Sequence, residues 1–532
     1  MLKIKKTRLK KFKFHPITMF IILTLGVMLL SSILSLFELQ VSYSRVNSSS
    51  LELENILITI DGMFNYEGFK YLISNAAKNF VSFTPLSTLL IGLIGLSVAH
   101  ASGLIDSFIK RQTLRINNKT ITFILIFVAT ISSIINEVGY VILIPLSALI
   151  FLANGRNPLL GITASFCGVA FGYGATLFAG STEINLVPIT NQAALLIDSG
   201  FHVSMLSNLI AIIISSIVIS IVGTFVIEGI IMKKVGKYKL IPDDLNDVTK
   251  EIKLESIEKE EQKRLEIETR EKKGLKNAYI VFLVCILIFI YMIIPGLPGS
   301  GLLLDMNENA YINQLFGKNS YFQDGFTYLI SIIFLVTGIA YAIGAKTIKN
   351  DKELVEKSSD YLKDVGYLMV LIFVAAQFIA VFKKTNIGTI IVASIANLIK
   401  EISFSGIPLI VTVVILIAFS SLFVTTQSAK WSILAPVVVP LMMQANISPQ
   451  FAQFVLRVGD SMTKGITPLL AYFVIYLGYL NIYNTDNEPI TIKKALSFVS
   501  PYCLIISITW ILIVVLMYIV GLPIGPGVFP NL

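Results

Sequence analysis

Residues 424–440 read VTTQSAKWSILAPVVVP. The stretch opens on a polar knot, Thr425-Thr426-Gln427-Ser428, and then carries Lys430 and Trp431. The runs on either side, IPLIVTVVILIAFSSLF and VVVPLMM, are apolar sequence of the kind that fills a bilayer. A lysine in such surroundings is costly unless it faces protein or water. How the chain accommodates it decides the fold.

The 532 residues are 55% hydrophobic and only 14% charged, the balance of a polytopic membrane protein. Apolar runs long enough to cross a bilayer recur at 17–36, 209–231, 278–294 and 504–520. The net charge of +9 needs no nucleic-acid partner, because basic residues in short loops set membrane orientation. Cys167, Cys285 and Cys503 are far apart in apolar sequence, with neither disulfide framework nor metal spacing. No P-loop and no nucleophile–base spacing stands out, so neither an ATP-driven engine nor an enzyme is expected.

Charge gives the topology. A basic head, residues 1–16, puts the N-terminus in the cytoplasm, and the apolar run after it is long enough to stay as a spanning helix. NSSSLELENILITIDG reads as an outside loop, and 83–109 returns to the basic KRQTLRINNK. The next two apolar arms are each short for a span. They predict a re-entrant hairpin near 119–152, with its tip at Ser132, Ser133, Ile134, Ile135, Asn136 and Glu137. Two spans then complete a first half, 17–232, and a mixed-sign linker, 233–277, follows. The second half, 278–522, holds spans at 278–294 and 326–343, and a helix at 367–399 interrupted at Lys383–Gly388. It continues with a second hairpin near 407–443, a span near 451–480, and a last helix before the tail, 523–532. The expected fold is all-α, with about nine transmembrane helices and two re-entrant hairpins in an inverted repeat.

The repeat is visible in the residues. GYVILIPL (139–146) lies over KWSILAPV (430–437), with an aromatic five residues before a proline in both. Each hairpin precedes a helix with a polar break: GSTEIN (180–185) with Pro188 and Thr190, and GDSMTKG (459–465) with Thr467 and Pro468. Paired interruptions in inverted halves point to a midplane site. Glu137, Glu183, Lys430, Arg457, Asp460 and Lys464 all fall there. Arg457, Asp460 and Lys464 share a helix face, either as an internal ion pair or as a carboxylate-binding set. Lys430 either snorkels to an interface or lines the site. Asp460, Glu183 and Glu137 are candidates to load and release a proton; alternatively a carboxylate, hydroxyls and tip carbonyls hold sodium. The exposed helix ends favour an anionic substrate. Trp431 either stacks on an aromatic ring or packs in the core. His100 reads as a packing residue or a relay; His15 and His202 look peripheral.

SAKWSILAPVVVP, ISPQFAQFVLRVGDSMTKGITPLLAYF, YLMVLIFVAAQFIAVFKKTNIG, EVGYVILIPLSALIFLANGRNPLLG and NFVSFTPLSTLLIGLIGLSVAHASGL resemble the AbgT transporter family, in order through both halves. The resemblance implies a homodimeric secondary transporter in the cell membrane. It implies uptake of p-aminobenzoyl-glutamate-like aromatic carboxylates, proton-driven export of sulfonamide-like antimetabolites, or both. Sodium coupling to another organic anion, or a passive channel, is the alternative. The family's functional positions fall on Ser428, Trp431, Pro449, Arg457, Asp460 and Pro468. Glu183 and Glu137 stand where the family has aspartates. Further departures are Ser421, Lys464 and Thr176 in place of asparagines, Thr425-Thr426-Gln427 in place of Gly-Ser-Ala, and His100 in place of an acid. Ser421 joins the expected substrate-binding set and Lys464 the ion-coupling set. No catalytic residue, metal or cofactor beyond the coupling ion is expected.

Overall fold

Two short-armed helical hairpins organise the chain. In this computed structural model residues 14–47, 49–113, 116–135, 137–238, 257–317 and 319–532 are described; most of the basic head, Asn136 and much of the linker lie outside them. The first hairpin joins Asn118–Ile131 to Val138–Ala153 through a 3₁₀ turn, Ser132–Ile135. The second joins Gly406–Ser421 to Gln427–Gln444. Both return arms carry proline inside the helix, Pro145 in one and Pro436 and Pro440 in the other. Each hairpin is followed by a helix in two pieces. Pro158–Phe171 and Ser181–Ala194 form the first, Pro449–Thr463 and Ala471–Ile482 the second.

The hairpins and broken helices pack crosswise. The second hairpin's return arm lies on Ser181–Ala194, and the first hairpin's return arm lies on Ala471–Ile482. The equivalent aromatics seal these contacts: the Trp431 indole meets Thr190, and Tyr140 stacks on Tyr472 with ring centroids 4.8 Å apart. Each half thus supplies the surface on which the other half's hairpin rests.

Among the described residues nine helical stretches are long and apolar enough to span a membrane, and the protein is multi-pass. The number matches the expectation, but the membership differs. Asn118–Ile135 qualifies although it is a hairpin arm, and the broken helix at 158–194 does not, since each piece is short. The interrupted helix is Val365–Lys384 followed by Ile387–Lys400, with Asn386 between them in the left-handed region at φ 62°.

Three features correct the sequence reading. The loop expected outside contains a short antiparallel ribbon, Gln40–Val46 paired with Leu53–Thr59, within an otherwise helical fold. An amphipathic helix, Tyr66–Val81, precedes the second span, which runs Thr84–Ala101 rather than 83–109. The linker is not a separate element at its C-terminal end: one 37-residue helix, Ile257–Ile293, continues from it into the next span.

That span packs on Tyr321–Ala345, which packs in turn on Thr84–Ala101. The second contact is close because Gly95 has no side chain. A Cβ there would sit 2.1 Å from the Ser331 carbonyl oxygen, while the Ser331 hydroxyl donates to the Ile91 carbonyl at 2.6 Å. Gly95→Leu should therefore cost about 1–3 kcal/mol by overpacking and lower the melting temperature of the detergent-purified protein. Gly26→Ala, into open space within the helix Pro16–Ser35, should not lower it.

Candidate functional site

Pro449–Thr463 is buried along almost its whole length, so its polar residues face protein. Gln453, Arg457, Asp460 and Lys464 recur at helical spacing and form a stripe toward the hairpin tips. Buried polar groups must find partners, and here the partners come mostly from other elements.

Arg457 faces the first broken helix. Its Nη1 pairs with the Glu183 carboxylate, and its Nε donates to the Gly174 carbonyl at 3.1 Å. Its Nη2 is buried without a hydrogen-bond partner. Glu183 is held from behind, because its other oxygen accepts the Gly180 N–H at 2.9 Å at the start of Ser181–Ala194. A carboxylate suits that helix N-terminus. Gly174 allows the two breaks to meet: a Cβ there would lie 2.6 Å from the Ser461 hydroxyl and 2.8 Å from the Arg457 carbonyl oxygen. Its N–H donates to that hydroxyl at 2.7 Å.

Lys430 faces the second broken helix. Its Nζ lies 2.5 Å from Asp460 Oδ1 and also donates to Ser421, with both charged side chains 0% exposed. Snorkelling is therefore excluded in this structure. Lys464 Nζ stands 3.5 Å from Glu137 and 3.9 Å from Asp460 Oδ2, and 3.1 Å from the centre of the Tyr173 ring. An internal Arg457–Asp460 pair does not form; Asp460 serves the two lysines and Arg457 serves Glu183. Three cations thus meet three carboxylates, two of which belong to the first half of the chain.

The remaining expected residues spread around this cluster. Ser421 touches Lys430. Ser428 is half-buried in the first turn of the return arm, between exposed Thr426 and Ala429. Trp431 is fully buried, and its indole N–H donates to Thr190 Oγ1 at 2.9 Å, which lies 2.7 Å from Gln453 Oε1. No face of the ring is open in this conformation. Pro468 follows Thr467, whose hydroxyl donates to the Leu422 carbonyl at 2.8 Å and ties the second break to the hairpin tip. Pro449 stands apart, eight residues before Arg457, about 12 Å along the helix axis. Its neighbour Ser448 is bonded to the chain's tail through Phe529 and Pro530. Thr176 donates to the Phe178 carbonyl, and His100 packs on the Tyr361 ring at 4.7 Å.

Sequence reasoning missed Gln453, Tyr173 and Gly174. Gln453 was detectable four residues before Arg457, on the same face; the other two had no local signal. A cavity of about 630 Å³ lies beside the second piece of the first broken helix. Pro188, Asn191, Gln192, His202 and Tyr311 are on its wall, so His202 is less peripheral than expected. Among the described residues no three His, Cys, Asp or Glu side chains gather as a metal centre would need.

The chain matches the family described as "AbgT putative transporter family" over residues 10–532. It belongs to the AbgT family. The p-aminobenzoyl-glutamate transport protein of Escherichia coli (strain K12) is 30% identical over 518 residues, covering 97% of this chain and 94% of that protein. Two solved structures overlay at a TM-score of 0.47, and neither overlay bears on the site. They are the YdaH transporter of Alcanivorax borkumensis, 25% identical, over 96% of this chain and 100% of that one, and MtrF of Neisseria gonorrhoeae, 31% identical, over 97% and 98%. The latter is described as illuminating a class of antimetabolite efflux pumps. This AbgT protein is thus a membrane transporter of small molecules and not an enzyme.

Removing one member of a buried ion pair costs about 3–5 kcal/mol, because its partner is left uncompensated. Lys430→Met and Asp460→Asn should each lower unfolding stability by that order. The double variant should lose clearly less than the two together, as read by thermal unfolding of the purified protein.

Proposed function

We propose that this AbgT protein is a proton-coupled secondary transporter of aromatic carboxylates resembling p-aminobenzoyl-glutamate, able also to export sulfonamide-like antimetabolites. The substrate class follows the functions of its relatives. The observation that carries the reading is Arg457, a buried guanidinium with one nitrogen on Glu183 and another without a partner. Guanidinium binds carboxylate through two parallel hydrogen bonds. A substrate carboxylate would take Nη2 and compete with Glu183 for Nη1.

Charge balance supports the coupling. The cluster holds equal numbers of cations and carboxylates. A substrate anion adds an unmatched charge, which is costly in a dry interior. A proton on Asp460, Glu183 or Glu137 would restore the balance, so proton and anion would enter together during uptake, whereas export would exchange the substrate for an incoming proton at the same carboxylates. Ser428 and Pro468, beside the second hairpin's tip, would contact substrate, with Ser421 setting Lys430. Trp431 holds Thr190 through its indole N–H and would offer its ring only after the return arm moves. Pro449 would act through its helix rather than by contact. The basic head supports a cytoplasmic N-terminus in the cell membrane, and the family resemblance supports a homodimer.

Proteoliposomes with labelled p-aminobenzoyl-glutamate test the proposal. Wild-type protein should accumulate substrate only with an imposed pH gradient. Asp460→Asn should insert normally yet show equal flux with and without the gradient. Arg457→Lys should lower apparent affinity by on the order of tenfold or more, from the lost paired hydrogen bonds. Gradient-independent flux by the wild type overturns proton coupling, a sodium requirement supports the alternative ion, and failure to accumulate under any gradient supports a passive pore.

A further inference from the structure

Lys464 is the least expected member of the cluster. It ends the helix Pro449–Thr463 and is 1% exposed. Its ammonium has Glu137 Oε1 at 3.5 Å, Asp460 Oδ2 at 3.9 Å and the Tyr173 ring centre at 3.1 Å. These come from the first hairpin, the second broken helix and the first broken helix. All three present negative charge or a negative ring face, which is what a cage for a monovalent cation presents. The neighbouring Lys430 does not fill this role, since it is committed to Asp460 Oδ1 and Ser421. Asp460 Oδ2 accepts no hydrogen bond within 3.5 Å, so its second oxygen is matched only by the Lys464 charge.

We propose that Lys464 is a tethered cation. Its ammonium occupies the place that a free monovalent cation would otherwise take between Glu137 and Asp460, and so makes the protein indifferent to sodium. The proposal rests on the central cluster being the transport site, but it concerns which cation balances that cluster and not which substrate is carried. Without Lys464 the buried carboxylate of Asp460 and the partly exposed carboxylate of Glu137 would lose the cation they share. Such an arrangement either takes up a cation or loses stability. The helix C-terminus beside position 464 adds to the attraction for positive charge.

The test needs no substrate, so its failure is separable from a failure of the transport reading. Melting temperatures of the purified full-length protein are compared in sodium chloride and choline chloride at equal ionic strength. Wild type and Lys464→Arg should melt at the same temperature in both salts. Lys464→Ala should melt lower in choline and regain several degrees in sodium, since a ligand that binds only the folded state raises stability by mass action. Adding Glu137→Gln to Lys464→Ala should remove that sodium response. If Lys464→Ala is recovered only as aggregate in choline, recovery of monodisperse protein in sodium supports the proposal, and aggregation in both salts overturns it. It is also overturned by a folded Lys464→Ala without sodium-specific stabilisation, or by a wild-type protein that is itself stabilised by sodium.

Discussion

A charge taken out of water must meet its opposite within a few ångströms or be neutralised, and the centre of this transporter is arranged around that requirement. Lys430, Arg457 and Lys464 are almost wholly buried, and each is answered by a carboxylate. Arg457 and Lys464 reach across to Glu183 and Glu137 in the other half of the chain. The halves are thereby joined by buried ion pairs as well as by apolar packing. The surrounding apolar helices then need only to fill space against lipid and against each other.

Close backbone approach makes the pairing geometrically possible. The two broken helices meet where Gly174 lies against Arg457 and Ser461, and the interruptions free the carbonyl and N–H groups used there. In lipid such freed groups persist only when protein or water satisfies them. Here Ser461, Thr463 and Thr467 supply hydroxyls to the breaks and the adjacent hairpin. The breaks are thus stabilised by the same neighbours that define the site.

Much of this was legible in the residues and some of it was not. The hairpin at 424–440 announced itself through a lysine in an apolar run and a proline-bearing counterpart at 139–146, because the cost of a charge in lipid leaves few alternatives. All six cluster residues were identifiable on the same ground. Their pairing was not. Local spacing joins Arg457 to Asp460, whereas the side chains point away from their own helix toward Glu183 and Lys430, whose positions depend on tertiary packing. The short ribbon Gln40–Val46 with Leu53–Thr59 was overlooked for a different reason. Its alternating polar and apolar residues are outweighed by the helical pattern everywhere else.

The equal tally of positive and negative side chains in the cluster has an electrical consequence. Moving one elementary charge across a 100 mV membrane potential changes the energy by about 2.3 kcal/mol. Lys430, Arg457 and Lys464 are matched by Glu137, Glu183 and Asp460, so the empty cluster carries no net charge into the membrane field. In the proposed mechanism this cluster would therefore contribute no charge movement of its own to the return of the empty protein. What the cluster would add to a dependence on membrane potential would come from the steps in which cargo and the proposed coupling ion are aboard.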